Sequence, residues 1–191
     1  GLITTDSPLA MFAFISFLIG FGMKAGMFPL HVWLPDAHPV APSPASALLS
    51  GIMLKTGAYG LLRVIYHVFT PELMQETGST TILAAVGIIT ILLGSAVAIT
   101  QDDLKRRLAY SSVGQMGYII LALAVLNERA LLGSVFHIFT HAFMKSTLFL
   151  AAGAIILKTG KRSIRELKGV GRQMPFTMMA FTLAALAMIG I

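Results

Sequence analysis

The chain has 191 residues, 56% of them hydrophobic and 12% charged, with mean hydropathy +0.82; soluble domains carry about a quarter charged residues, so a soluble fold is excluded and a polytopic membrane protein is expected. The net charge of +6 does not point to nucleic acid, because the basic residues sit in short gaps between apolar runs, as membrane topology requires. With no cysteine there is no disulfide and no thiolate to hold an iron–sulfur cluster, so no cofactor is expected and redox chemistry belongs to a partner.

Six apolar segments can be drawn along the chain. The first, from about Pro8 to His38, is too long for one simple span, and Gly26 and Pro29 predict a broken helix. The second runs from about Pro44 to Phe69, with Pro42 and Pro44 suited to a helix start. An acidic loop with Glu72 and Glu76 precedes the third span, from about Thr80 to Thr100. Asp102, Asp103, Lys105, Arg106 and Arg107 lead into the fourth, from about Leu108 to Leu126, with Asp102 and Asp103 expected to anchor the loop by pairing with Lys105 or Arg106. Asn127, Glu128 and Arg129 link to the fifth span, about Leu131 to Leu157, and a strongly basic loop follows before a sixth segment starts near Pro175. The chain begins on Gly1 without a signal-peptide pattern and stops inside an apolar run, so it reads as an internal fragment of a longer protein.

Alternating crossings put loops 101–107 and 158–173 on one side. The second holds Lys158, Lys161, Arg162, Arg165, Lys168 and Arg172 against one acid, Glu166. The positive-inside rule makes that side cytoplasmic; an integral protein of a prokaryotic inner membrane is expected.

The informative residues are the ionisable ones inside the spans. A charge at the centre of a bilayer costs about 2.5 kcal/mol or more, which makes an intramembrane lysine a functional candidate. At 1.5 Å per residue Lys55 lies about 17 Å along its helix, His141 about 15 Å and Lys24 about 24 Å, none of them at a snorkelling position. His137, His141 and Lys145 follow at i, i+4 steps, so all three line one helix face over about 12 Å. Such a file can pass protons through intervening water. Ser111, Gln115 and Tyr118 form a second polar stripe at i, i+4 and i+7. A broken helix exposes backbone groups, which membrane depth tolerates only inside protein or beside a water-filled cavity.

Other readings compete. His137 alone could be a satisfied core histidine. His137 and His141 could bind a metal in a metal-ion transporter, but no Cys or acidic third ligand lies nearby and no metal site is expected. Gly20, Gly22 and Gly26 lack the strand and spacing of a phosphate loop, and Gly22 with Gly26 reads as a helix-packing pair.

The run Met23-Lys24 through Phe28-Pro29-Leu30-His31-Val32-Trp33-Leu34-Pro35-Asp36-Ala37-His38, with Ala41-Pro42 and Leu54-Lys55-Thr56-Gly57-Ala58-Tyr59-Gly60, resembles the antiporter-like proton-translocating subunits shared by respiratory complex I (NADH:quinone oxidoreductase), Mrp-type sodium/proton antiporters and membrane-bound hydrogenases. Asp103-Leu104-Lys105-Arg106, Leu108-Ala109-Tyr110-Ser111-Ser112 and the His137, His141, Lys145 file resemble second-repeat signatures of the same family. Phe143 to Phe149 and the loop from Ile164 tilt the resemblance toward the hydrogenase and Mrp branches.

The resemblance implies an all-α polytopic membrane protein, a fragment of a subunit of about fourteen helices with two inverted repeats, each with a broken helix. Residues 1–69 would end the first repeat and 80–191 begin the second. It implies that Lys24 is the protonatable lysine of the broken helix, Lys55 the connecting lysine, and His137, His141 and Lys145 the central link. An upstream glutamate would pair with Lys24, and the exit residue would follow Ile191. The partners implied are other membrane subunits, the lipid bilayer and H+, or Na+. The chain itself carries no redox or hydrolytic site, and a non-conducting scaffold subunit is the alternative function.

Overall fold

The computed structural model describes residues 8–191, so residues 1–7, the head of the portion expected to end a first repeat, lie outside the described residues. Every named element among them is helical, and the sole strand-type contact is one isolated bridge between Asp103 and Ser163.

The first apolar stretch divides into α1 (Pro8–Ala25) and α2 (Trp33–Val40). The interruption starts at Gly26, whose φ of 72° is left-handed and open to a residue without Cβ. The freed backbone groups find partners inside the protein. The Gly26 and Met27 amides donate to the Met23 and Gly22 carbonyls at 3.2 and 3.0 Å. Trp33 Nε1 donates to the same Met23 carbonyl at 3.0 Å, and the Phe28 amide to Thr90 Oγ1 at 3.1 Å. Without such bonds each group would cost several kcal/mol at membrane depth, on the order of a lost solvation shell.

Helix α3 (Ser43–Phe69) contains two π-helical stretches, Leu49–Met53 and Val64–Phe69, which no sequence pattern announces. The acidic loop holds a short helix, α4 (Pro71–Glu76), started by Pro71. Then come α5 (Ser79–Thr100), α6 (Leu104–Ala124) and α7 (Glu128–Thr159), the last an unbroken helix of 32 residues. Asp103 caps α6 by accepting from the Arg106 amide at 2.8 Å, and Asn127 caps α7 by accepting from the Ala130 amide at 2.7 Å. The basic loop folds through a 3-10 turn into α8 (Val170–Gln173), and α9 (Pro175–Met188) follows.

Among the described residues α3, α5 and α7 are long and apolar enough to cross a membrane, while Leu9–Ala25 and Pro175–Met188 are shorter apolar helices. Helix α6 is less apolar because it has Lys105, Arg106 and Arg107 in its first turn and carries Ser111, Ser112, Gln115 and Tyr118.

Missing side chains set the closest helix approaches. A Cβ on Gly94 of α5 would lie 2.5 Å from the Gly114 nitrogen of α6, and one on Gly117 would lie 2.8 Å from the Ile91 nitrogen. A Cβ on Gly57 of α3 would lie 2.6 Å from the Ala25 nitrogen of α1. The expected Gly22 and Gly26 packing pair is therefore corrected. Gly26 forms the break, the space beside Gly22 is taken by Met27 of the same turn, and Gly57 supplies the close approach to α1.

The two basic loops meet at one end of the bundle. The Leu104 amide donates to the Arg162 carbonyl at 3.0 Å and the Ile164 amide to the Asp102 carbonyl at 2.9 Å. Ser163 Oγ donates to Asp102 Oδ2 at 2.6 Å. Arg106 pairs with Asp36 of α2, and Lys105 Nζ donates to the Ala41 carbonyl at 2.8 Å. Asp102 and Asp103 thus anchor the loop, but through Ser163, Arg165 and the helix cap instead of the Lys105 or Arg106 side chains.

Candidate functional site

Lys55 follows the first π-helical stretch of α3 and is buried, and its ammonium donates to the carbonyl of Ser50 within that stretch. The Ser50 side chain continues inward, its Oγ 2.8 Å from Ser112 Oγ on α6. Ser112 Oγ donates to the Leu108 carbonyl at 3.1 Å, so the proton shared by the two hydroxyls is the one Ser50 gives. The Leu108 carbonyl also receives Lys145 Nζ of α7 at 2.9 Å. Ser111 Oγ donates to that carbonyl at 3.0 Å and accepts from Lys145 Nζ at 2.5 Å. Two buried lysines on α3 and α7 therefore flank a cluster of hydrogen bonds on Ser50 and α6 without a carboxylate, Ser50 meeting Lys55 with its carbonyl and Ser112 with its hydroxyl.

On α7 the rings of His137 and His141 stack in parallel, 5.6 Å apart at 3°, one turn before Lys145. His141 is fully buried and neither ring nitrogen has a protein partner; His137 Nε2 also lacks one. His38 of α2 has the same character. It is fully buried, stacked on Phe149 at 4.3 Å, unpaired at both nitrogens, and within electrostatic range of Lys55, Lys105 and Lys145.

Lys24 stands apart from this cluster. It is exposed near the end of α1, facing a groove of about 430 Å³ lined by Ala45, Leu48, Leu49, Ile52, Met53 and Thr56, and makes no ion pair among the described residues. Gly26 and Pro29 lie at the break. Of the second polar stripe, Ser111 touches Lys145, Gln115 is half-buried, and Tyr118, two turns further along α6, is 50% exposed. Sequence reasoning missed Ser50, Ser112 and the Leu108 carbonyl. Two serines in apolar spans were the available signal, but only the rotation of α3 against α6 pairs them. His38 lay inside the motif without an assigned role. Among the described residues no three His, Cys, Asp or Glu side chains converge.

Comparison with known proteins gives a consistent result. The family described as NADH:quinone oxidoreductase/Mrp antiporter, transmembrane, matches residues 2–191. The chain is 44% identical over 186 residues to NADH-quinone oxidoreductase subunit N of Desulforudis audaxviator, covering 97% of this chain and 37% of that protein. It is 40% identical over 198 residues to hydrogenase-4 component B of Escherichia coli, covering 96% of this chain and 29% of that protein. Its fold is similar to a chain of the Mrp complex of Dietzia sp., with TM-score 0.89, 27% identity, and coverage of 98% of this chain and 34% of that one. A chain of an archaeal membrane-bound sulfane sulfur reductase matches at TM-score 0.84 and 32% identity, with coverage of 91% and 35%. The chain spans about a third of the length of the relatives it matches.

Proposed function

Because the chain belongs to the membrane-subunit family shared by NADH:quinone oxidoreductase and Mrp antiporters, we propose that it carries the central part of a proton path in an integral membrane subunit of such a complex. The observation that carries this reading is the placement of two buried lysines, Lys55 and Lys145, on either side of the polar cluster of Ser50, Ser111, Ser112 and the Leu108 carbonyl, across three helices and without a carboxylate. Neither ammonium has a carboxylate partner among the described residues, so both lysines are held by carbonyl and hydroxyl oxygens alone. His141 and His137 extend the route along α7, and Lys24 receives protons at the groove beside the break. Residues 1–69 end one inverted repeat and 80–191 open the next. Loops 101–107 and 158–173, joined by the Asp102 and Ser163 contacts, face the cytoplasm by the positive-inside rule.

The test is proton uptake into vesicles holding the full-length protein in its parent complex, comparing wild type with Lys24→Met and Lys55→Met at equal assembled amounts. Loss of uptake in both variants supports conduction. Unchanged uptake in an assembled complex assigns the chain a scaffold role. Co-purifying subunits identify the parent as complex I, Mrp or hydrogenase type.

A further inference from the structure

A groove of about 410 Å³ lies between α5, α6 and α9. On α9 it is lined by Phe181, Ala185 and Met188, which recur at i, i+4 and i+7 and so form one helix face about 10 Å long. The groove thus follows the helix axis, and for a membrane helix that is close to the direction in which the acyl chains of the bilayer lie. Ala98 and Ile99 border it on α5. Ile99 is 77% exposed, and Leu183, on the next turn of α9 after Met179, is 61% exposed. The groove is therefore continuous with an apolar surface that meets lipid.

Its end nearest the basic loops is charged. Arg107 lines it, tethered to the last carbonyls of α5 and its cap: Nε donates to Gln101 at 3.0 Å and Nη2 to Ile99 at 3.1 Å. Among the described residues this leaves Nη1 without a hydrogen bond and the guanidinium without an acid, because the ion pairs there join Arg106 to Asp36 and Arg165 to Asp102. The remaining acids at this end are Asp103, which caps α6, and Glu166, which stands among the cations of loop 158–173. A fixed cation at the head of an apolar slot open to the bilayer matches an anionic amphiphile, with phosphate oxygens on the guanidinium and hydrocarbon below.

We propose that this groove is a binding site for one anionic phospholipid of the surrounding bilayer, its phosphate on Arg107 and one acyl chain along Phe181, Ala185 and Met188. A zwitterionic lipid fits the slot equally well but brings its own ammonium into an end already rich in cations. One turn below Arg107 the groove reaches Ser111, which is half-buried and accepts from Lys145 Nζ. The chain therefore covers the open side of the serine that touches the buried lysine. The site goes beyond the proton path and stands without it.

The test uses the purified full-length protein in its complex, stripped of lipid in detergent and supplied with phosphatidylglycerol or phosphatidylcholine, with bound lipids counted by native mass spectrometry. Phosphatidylglycerol is expected to bind about tenfold more tightly, the worth of one charged hydrogen bond. Arg107→Gln and Ala185→Trp, which remove the cation and fill the slot, should each hold one phosphatidylglycerol fewer per complex. Ala185→Trp leaves the bonds from Arg107 to α5 intact, so it serves if Arg107→Gln does not assemble. Equal binding of the two lipids, or an unchanged phosphatidylglycerol count in an assembled Ala185→Trp complex, overturns the inference. A photo-crosslinking residue in place of Ile99 then identifies the occupant in native membranes. Capture of a phospholipid supports the site, and capture of a peptide from this subunit or a neighbour overturns it. Neither readout involves Lys24 or Lys55, so the lipid site and the proton path fail separately.

Discussion

Replacing Gly57 with alanine tests whether the crossing of α1 and α3 sets the position of both lysines flanking it. Gly57 lies two residues after Lys55, and its partner Ala25 directly follows Lys24. The new Cβ would lie 2.6 Å from the Ala25 nitrogen, 2.9 Å from the Phe21 carbonyl oxygen and 3.0 Å from the Ala25 Cα. All three are backbone atoms, so no rotamer change relieves the contact. Restoring ordinary separations of about 3.5 Å moves the helices apart by about 1 Å, at the cost of about 1–3 kcal/mol typical of overpacking. The displacement falls on the Lys24 end of α1, and misplacement of about 1 Å in a reacting geometry lowers rates by up to about a hundredfold. The expected outcome is an assembled complex with a lower midpoint of thermal unfolding and proton uptake reduced at least about tenfold. Gly20→Ala, whose Cβ meets nothing within 4 Å, is the control and should be neutral or slightly stabilising through helix propensity. Wild-type stability and uptake in Gly57→Ala would refute the reasoning, because no native contact could then be this close.

Three further outcomes can be checked separately. Ser112→Ala removes the link between Ser50 and the Leu108 carbonyl; it should cost about 1 kcal/mol of stability yet slow proton uptake well beyond that fraction, and an unchanged rate would take Ser112 out of the path. Gly26→Ala places a side chain at φ 72°, so a loss of about 1–2 kcal/mol is expected in thermal unfolding of the complex, with the break retained. A double-mutant cycle on Asp36 and Arg106, whose side chains are 62% and 44% exposed, should give a coupling of about 0.2–1 kcal/mol that fades with salt, whereas a larger, salt-insensitive value would mean the pair is buried in the complete protein.

Much of the fold was legible because bilayer solvation is a coarse filter. The spans follow from apolar length, and the break from Gly26 and Pro29. The α7 file was legible for a local reason: His137, His141 and Lys145 share a face by helical period alone. What escaped depends on helix rotation. Ser50 and Ser112 are 62 residues apart, and no local pattern sets the angle that brings their hydroxyls together. Tyr118 shares a face with Ser111 yet is 50% exposed, because it lies two turns further along α6 and a shared face does not say where a neighbouring helix covers it. The π-helical stretch next to Lys55 escaped because it differs from α-helix by one residue in the hydrogen-bond ladder, below what periodicity resolves. Gly57 was passed over for Gly22 because small-residue spacing marks a capacity for close approach without naming the partner.

The glycine contacts between α5 and α6 limit what can move. Gly94 against Gly114, and Gly117 against Ile91, bring two backbones together with no side chain between them to reshape. Helix α6 is thereby a stator, and the Leu108 carbonyl is a fixed terminal mounted on it. With that scaffold fixed, the movable partners at this contact are the four-methylene arms of Lys55 and Lys145, which are buried and can shift only among the oxygens around them. Side-chain hops belong to the fast end of protein motion, and helix displacements to the slow end. Gating at this point would then be set by where the charges sit elsewhere in the complex, with the scaffold around the contact held still.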